Sequence, residues 1–235
     1  MTDYCSKVAQ SAMALLSLEG AALDREYHYN SLSLCVIDAV FSIGVRYESV
    51  RGVVRRYSDY FGVVQYRPDQ SVVPPEVSQE ALSSLVQHFD DLGLERMTSE
   101  VFVNRQRTST RSGILKSEAV LRFAGALRSH GIEYLQDVGE TLPSAGLQRA
   151  IGAIPGQGSG ISLQYLWMLA GSDELIKPDR MVLRFLEESL GRAVSPDEAL
   201  RLVADSVAEL KAQYPAMTPR LLDHKIWEYQ RARSA

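Results

Sequence analysis

Apolar residues recur at helical spacing along nearly all of this chain, and that period most constrains what it can fold into. Leu82, Leu85, Val86 and Phe89 mark one apolar face, and Leu115, Ala119, Leu121, Phe123, Ala124 and Leu127 another. Ser195-Pro196 and Thr218-Pro219 place a capping hydroxyl before a first-turn proline, the usual start of a helix. Ser78 reads as a cap for a helix over 79–91, and further helices are expected over 11–23, 32–44, 47–61, 94–106 and 114–130. Pro74-Pro75 makes 72–77 a connector. The best extended run, Val63–Tyr66, is only four residues long, so the chain is expected to be all-α.

With 235 residues, 46% of them hydrophobic, the chain can bury a substantial core. Charge interrupts every apolar stretch, so no membrane span is expected. Met1-Thr2-Asp3-Tyr4-Cys5 lacks the basic start and apolar run of a signal peptide. Two cysteines, Cys5 and Cys35, supply no disulfide framework, which fits a reducing cytoplasm. The four histidines are scattered and suggest no metal set. No Ser–His–Asp grouping and no phosphate loop ending in Gly-Lys-Ser/Thr is present.

One segment breaks the helical pattern in an informative way. Ile151-Gly152-Ala153-Ile154-Pro155-Gly156-Gln157-Gly158-Ser159-Gly160 joins two apolar helical stretches. Ile151 and Ile154 would anchor the end of the first. Pro155 has no N–H to continue it, and the glycines permit a tight turn. The unpaired amides of the next helix's first turn would then point outward, where a phosphate is the natural guest. An ordinary glycine-rich loop between core helices is the alternative. Twenty-one residues after Gly158 stands Asp179, within Lys177-Pro178-Asp179-Arg180 at the start of another helical run.

The hairpin and the aspartate at this distance resemble the helix-hairpin-helix DNA glycosylase superfamily, which includes endonuclease III, the adenine-mismatch glycosylase and the 8-oxoguanine glycosylase. Other segments follow in order. Ser33–Tyr57 is similar to the helix, turn and helix that carry the base-displacing loop, and Arg220–Trp227 to the late helix that returns to the first lobe. The resemblance implies two helical lobes with the hairpin at the cleft between them, one from residues 1–77 and 154–235 and one from 78–153. It implies double-stranded DNA as partner, a hydrolase of base-excision repair, and a cytoplasmic protein found on the nucleoid when bound. Oligomeric state is left open, with a monomer favoured.

The resemblance also assigns roles. Gly156, Gln157, Gly158, Ser159 and Gly160 would bind phosphate, and the hairpin carbonyls would be the place for a monovalent cation. Asp179 would stabilise the oxocarbenium-like transition state or orient a water, although an N-cap is its ordinary structural use. Gly160 stands where bifunctional members carry the Schiff-base lysine, so no lyase activity is expected. No iron–sulfur cluster is expected either, since neither cysteine lies in the C-terminal region. Gly44 stands near the family's polar wedge and cannot fill a base-pair gap. Arg46, Tyr47, Glu48 and Trp167 are the candidates for a wedge or base pocket, with Trp167 at core spacing beside Leu163 and Leu166.

The net charge of −4 does not favour DNA, but its distribution does. Between Arg96 and Arg128 there are seven basic and two acidic residues. Arg105, Arg107, Arg111 and Lys116 are the expected basic groove, solvated helix faces being the alternative. The second functional reading is a DNA-binding module that kept the scaffold without the chemistry. It rests on Gly44, Gln157 and Gly160 departing from the family pattern.

Overall fold

A computed structural model describes residues 4–45, 47–139 and 143–233. The described residues form ten α-helices in the order α1 (Tyr4–Leu15), α2 (Leu32–Phe41), α3 (Tyr47–Phe61), α4 (Leu82–Arg96), α5 (Lys116–Ser129), α6 (Ala145–Gly152), α7 (Ile161–Ala170), α8 (Arg180–Leu190), α9 (Pro196–Leu210) and α10 (Pro219–Ala232). No strand occurs among them. Extended backbone pairs only in two isolated antiparallel bridges, Tyr29 with Tyr66 and Arg107 with Leu115. The run 63–66 thus contributes one bridge and no strand. No helix among the described residues is long and apolar enough to cross a membrane.

The chain divides into two compact units. Met1–Asp24 and Ser172–Ala235 form one, and Arg25–Gly171 forms the other. The expected boundaries at 77/78 and 153/154 differ from these. The reason lies in α2, which packs against α3, α5 and α7 and so joins residues 32–61 and 161–170 to the middle of the chain.

In the terminal unit, α1 packs on α9 and α8, and α10 on α8 and α9. The shared core includes Val8, Ala12, Phe185, Leu186, Val203, Leu222 and Ile226. Ser195 and Thr218 cap as expected, accepting from the amides of Glu198 (3.2 Å) and Leu221 (3.1 Å). The first helix runs earlier than its periodicity suggests. It ends at Leu15, and the following segment turns at Gly20, whose φ is +64°.

In the middle unit every residue of α2 is buried, so it is the central helix. Phe41, Tyr57 and Phe89 close around Phe102, with ring centroids 5.1, 5.7 and 6.1 Å away. The helix expected over 94–106 is interrupted. Gly93 adopts φ +77°, a π-helical turn occupies Met97–Val101, and irregular backbone follows. Ser78 is not a helix cap either. It closes a short 3-10 turn, and Ala81 precedes α4.

Candidate functional site

The hairpin turn lies between α6 and α7. Ser144 caps α6 through the amide of Leu147 (3.4 Å). Three successive backbone bonds shape the turn: Ile154 N to Ile151 O (3.0 Å), Gln157 N to Ile154 O (2.9 Å) and Gly160 N to Gln157 O (3.1 Å). Ile151 and Ile154 are buried, as an anchor requires. Gly160 starts α7 in the left-handed region, φ 73° and ψ −9°, where a side chain would be strained.

Gly156 is required for a second reason. Its φ is +87°, and a Cβ there would lie 2.5 Å from Thr108 Cβ. The same threonine donates from Oγ1 to the carbonyl of Pro155 at 2.6 Å. A threonine from a distant loop therefore fixes the hairpin's outer turn. Gly158, by contrast, has an ordinary backbone, and a Cβ there would meet only Gly152 O at 3.7 Å.

These contacts revise the phosphate-binding set. Gln157 does not face outward. It is fully buried, its Oε1 accepts from Ser162 Oγ, and its own amide is used within the turn. The Gly160 amide is likewise used. The amides of Gly156, Gly158 and Ser159 meet no acceptor among the described residues, and all three residues are exposed. They are the donors left for an anion.

The residues of the expected basic groove lie in different settings. Lys116 does not belong to it. The residue is buried, and its Nζ donates to Phe41 O (2.9 Å), Ile43 O (2.7 Å) and Gln106 Oε1 (3.3 Å). It satisfies carbonyls at the end of α2, where a cation is favoured by the helix dipole. Arg105 is exposed and paired with Glu95. Arg107 donates to Gly113 O at 2.7 Å, and Arg111 is exposed. The loop carrying both is closed by Thr108 N to Ile114 O (2.9 Å) and Lys116 N to Gln106 O (2.9 Å). Through Thr108 that loop is tied to the hairpin.

Of the candidates for a wedge or base pocket, Arg46 lies outside the described residues. Glu48 is exposed. Tyr47 is half-buried and stacked on Tyr27, centroids 5.8 Å apart. Burial, then the charge of Asp38, pushes its hydroxyl far above the ordinary tyrosine range. Trp167 is core. It is 1% exposed, so it has no face on which an extruded base can stack. Asp38 is a residue the sequence reading missed. It is buried within α2, and Tyr29 donates to its Oδ2 at 2.7 Å.

Asp179 lies in the terminal unit, at the start of α8. Its Oδ1 accepts from the amides of Met181 (2.7 Å) and Val182 (3.3 Å), a helix cap. Its Oδ2 makes no hydrogen bond among the described residues. Asp223 on α10 accepts the Lys177 amide at 3.0 Å through Oδ1. Burial, then the neighbouring Asp179 charge, pushes the Asp223 carboxyl up to about 8. Sequence reasoning passed over Asp223. Its signal was a carboxylate set between Leu222 and Ile226 in an apolar stripe.

The family described as a domain of unknown function (DUF8548) matches residues 6–231. The chain belongs to the DUF8548 family. No curated protein and no solved structure matches it. In this DUF8548 chain two sets of groups are chemically available. One is a turn in the middle unit whose Gly156, Gly158 and Ser159 amides meet no acceptor among the described residues, tied through Thr108 to the loop of Arg107 and Arg111. The other is a carboxylate in the terminal unit, fixed at a helix start.

Proposed function

We propose that this DUF8548 chain is a monofunctional DNA glycosylase of the helix-hairpin-helix type. The observation that carries the reading is the hairpin. A left-handed glycine starts α7, and three exposed residues whose amides meet no acceptor among the described residues, Gly156, Gly158 and Ser159, precede it. These are suited to a DNA phosphate, which positions a protein on the duplex without reading sequence. Arg107 and Arg111, on the loop tied to the hairpin by Thr108, would add charge beside it.

In this reading Asp179 supplies the chemistry. Cleavage of the N-glycosidic bond of an extruded base passes through a cationic sugar. A carboxylate stabilises that charge best when already fixed in place. Capping holds Asp179 through Oδ1 and leaves Oδ2 for the sugar or a water. With Gly160 where a lysine would stand, the enzyme would hydrolyse the bond and leave the backbone intact.

The same cap favours a second reading, a DNA-binding module without catalysis, since a carboxylate bonded only to its own helix has a sufficient structural role. One experiment separates the two. Duplexes carrying uracil, hypoxanthine, alkylated purines, 8-oxoguanine or mismatches are assayed for base release by the parent and by Asp179→Asn. Release by the parent and its loss in a variant that still binds DNA supports the glycosylase. Binding without release from any duplex supports the module.

A further inference from the structure

The segment leading to Asp179 is strapped to the first turns of α10. Arg220 N donates to Asp173 O at 3.1 Å, and the Arg220 guanidinium lies 3.5 Å from Asp173 Oδ1. Four residues later Lys177 N donates to Asp223 Oδ1 at 3.0 Å. Asp179 follows two residues on and caps α8. Both α10 residues are buried, Arg220 5% and Asp223 8% exposed. A buried carboxyl in an apolar stripe costs stability unless its contacts compensate, and the contact it makes here is to the strap.

We propose that Asp223 is the positioning residue for Asp179, holding the 173–179 strap to α10 so that the Asp179 carboxylate stays fixed at the start of α8. The inference rests on the glycosylase reading for its purpose and on the strap for its geometry. The charged groups facing Asp223 are Asp179 from the start of α8, Lys177 from the strap and Arg220 from its own helix. Asp173 balances Arg220. Burial, then the neighbouring Asp179 charge, favours the protonated form of Asp223. Ionisation of Asp223 on the alkaline side adds a second carboxylate charge facing Asp179. That charge disfavours the approach of a DNA phosphodiester.

The test uses the full chain and two variants. Asp223→Asn keeps an oxygen for the Lys177 amide and removes the ionisation. Asp223→Ala removes both. Carboxyl NMR of the parent, titrated from about pH 5 to about pH 10, should show an Asp223 step near about 8, well above the ordinary carboxylate range. Asp223→Asn should abolish that step. Asp223→Ala should speed hydrogen exchange of the Met181 and Val182 amides about tenfold or more, while Asp223→Asn leaves them protected. Where base release is measurable, its alkaline decline should vanish in Asp223→Asn. An Asp223 that titrates with ordinary carboxylates, with Met181 exchange unchanged in Asp223→Ala, overturns the proposal. A parent that releases no base yet shows the raised Asp223 titration and the exchange change refutes the glycosylase reading and supports the strap.

Discussion

The two central glycines of the hairpin should fail in opposite ways when substituted. At Gly156 an alanine must hold φ near +87° and place a methyl 2.5 Å from Thr108 Cβ. The left-handed backbone costs about 1–2 kcal/mol and the overlap about 1–3, offset by about 0.5–1 of entropy removed from the unfolded chain. The net loss is about 1–4.5 kcal/mol, a fall of roughly 2–18 °C in melting temperature for a chain of this size. At Gly158 the backbone is ordinary and the nearest atom to a Cβ is 3.7 Å away, so stability should change by less than about 1 kcal/mol. Bulk at Gly158 instead stands where a phosphate would reach the Gly158 and Ser159 amides. Losing one charge-assisted bond there weakens binding by about 2 kcal/mol, roughly 30-fold in Kd. The assay is thermal unfolding of Gly156→Ala and Gly158→Val beside fluorescence anisotropy on two unrelated duplexes at fixed salt. Gly158→Val should weaken both duplexes equally. A folded Gly158→Val that binds like the parent would refute the phosphate role, and a Gly156→Ala of parental stability would refute the Thr108 contact.

Four further outcomes can be checked. Lys116→Met should destabilise by about 2–4 kcal/mol in denaturant titration, because it strips donors from two carbonyls at the end of α2. Asp179→Ala should cost about 1 kcal/mol through the lost cap, whereas Asp179→Asn should keep most of the stability and lose any base release. Replacing Arg107 or Arg111 by glutamine should reduce the log–log salt slope of DNA binding by about one unit where that arginine meets a phosphate. Stability should also fall with rising pH through Asp223. Its folded carboxyl is raised to about 8, so the folded state retains a proton that the unfolded chain releases near the ordinary carboxylate range. The contribution is complete below about pH 4 and lost as pH rises through about 8, at up to about 1.4 kcal/mol per pH unit between them. Denaturant titrations of Asp223→Asn against the parent at either end of that window check the slope.

Local chemistry was legible in the sequence where a single residue carries it. Ser195 and Thr218 cap the helices that follow them, because a cap depends on residues within one turn. The all-helical character follows from periodicity for the same reason. Long-range contacts left no such mark. Nothing around Thr108 announced that its hydroxyl would meet Pro155 O, and Lys116 read as one more surface cation in a basic run. Gln157 was legible as an oddity in the hairpin but not in its direction, which Ser162 sets from the next helix. The compact units differ from the expected lobes because α2 pairs with α7 across more than a hundred residues of chain.

Asp179 and Asp223 carry the same point to the carboxylates. Asp179 could be read as a cap and as a chemical group from one tripeptide, since Pro-Asp before an apolar run suits both. Position in the fold does not remove that duality. The cap engages one oxygen, and a held carboxylate is also what electrostatic stabilisation of a cationic sugar requires. What distinguishes a structural cap from a working group is its surroundings. An isolated cap needs no second acid, yet here a buried carboxyl on α10 bonds the strap two residues before it. A purely structural strap would be served as well by an asparagine, which cannot ionise. If Asp223 titrates with ordinary carboxylates, Asp179 is a cap alone. If Asp223 holds its proton well above that range, the chain maintains a carboxyl pair whose charge state is set by the fold.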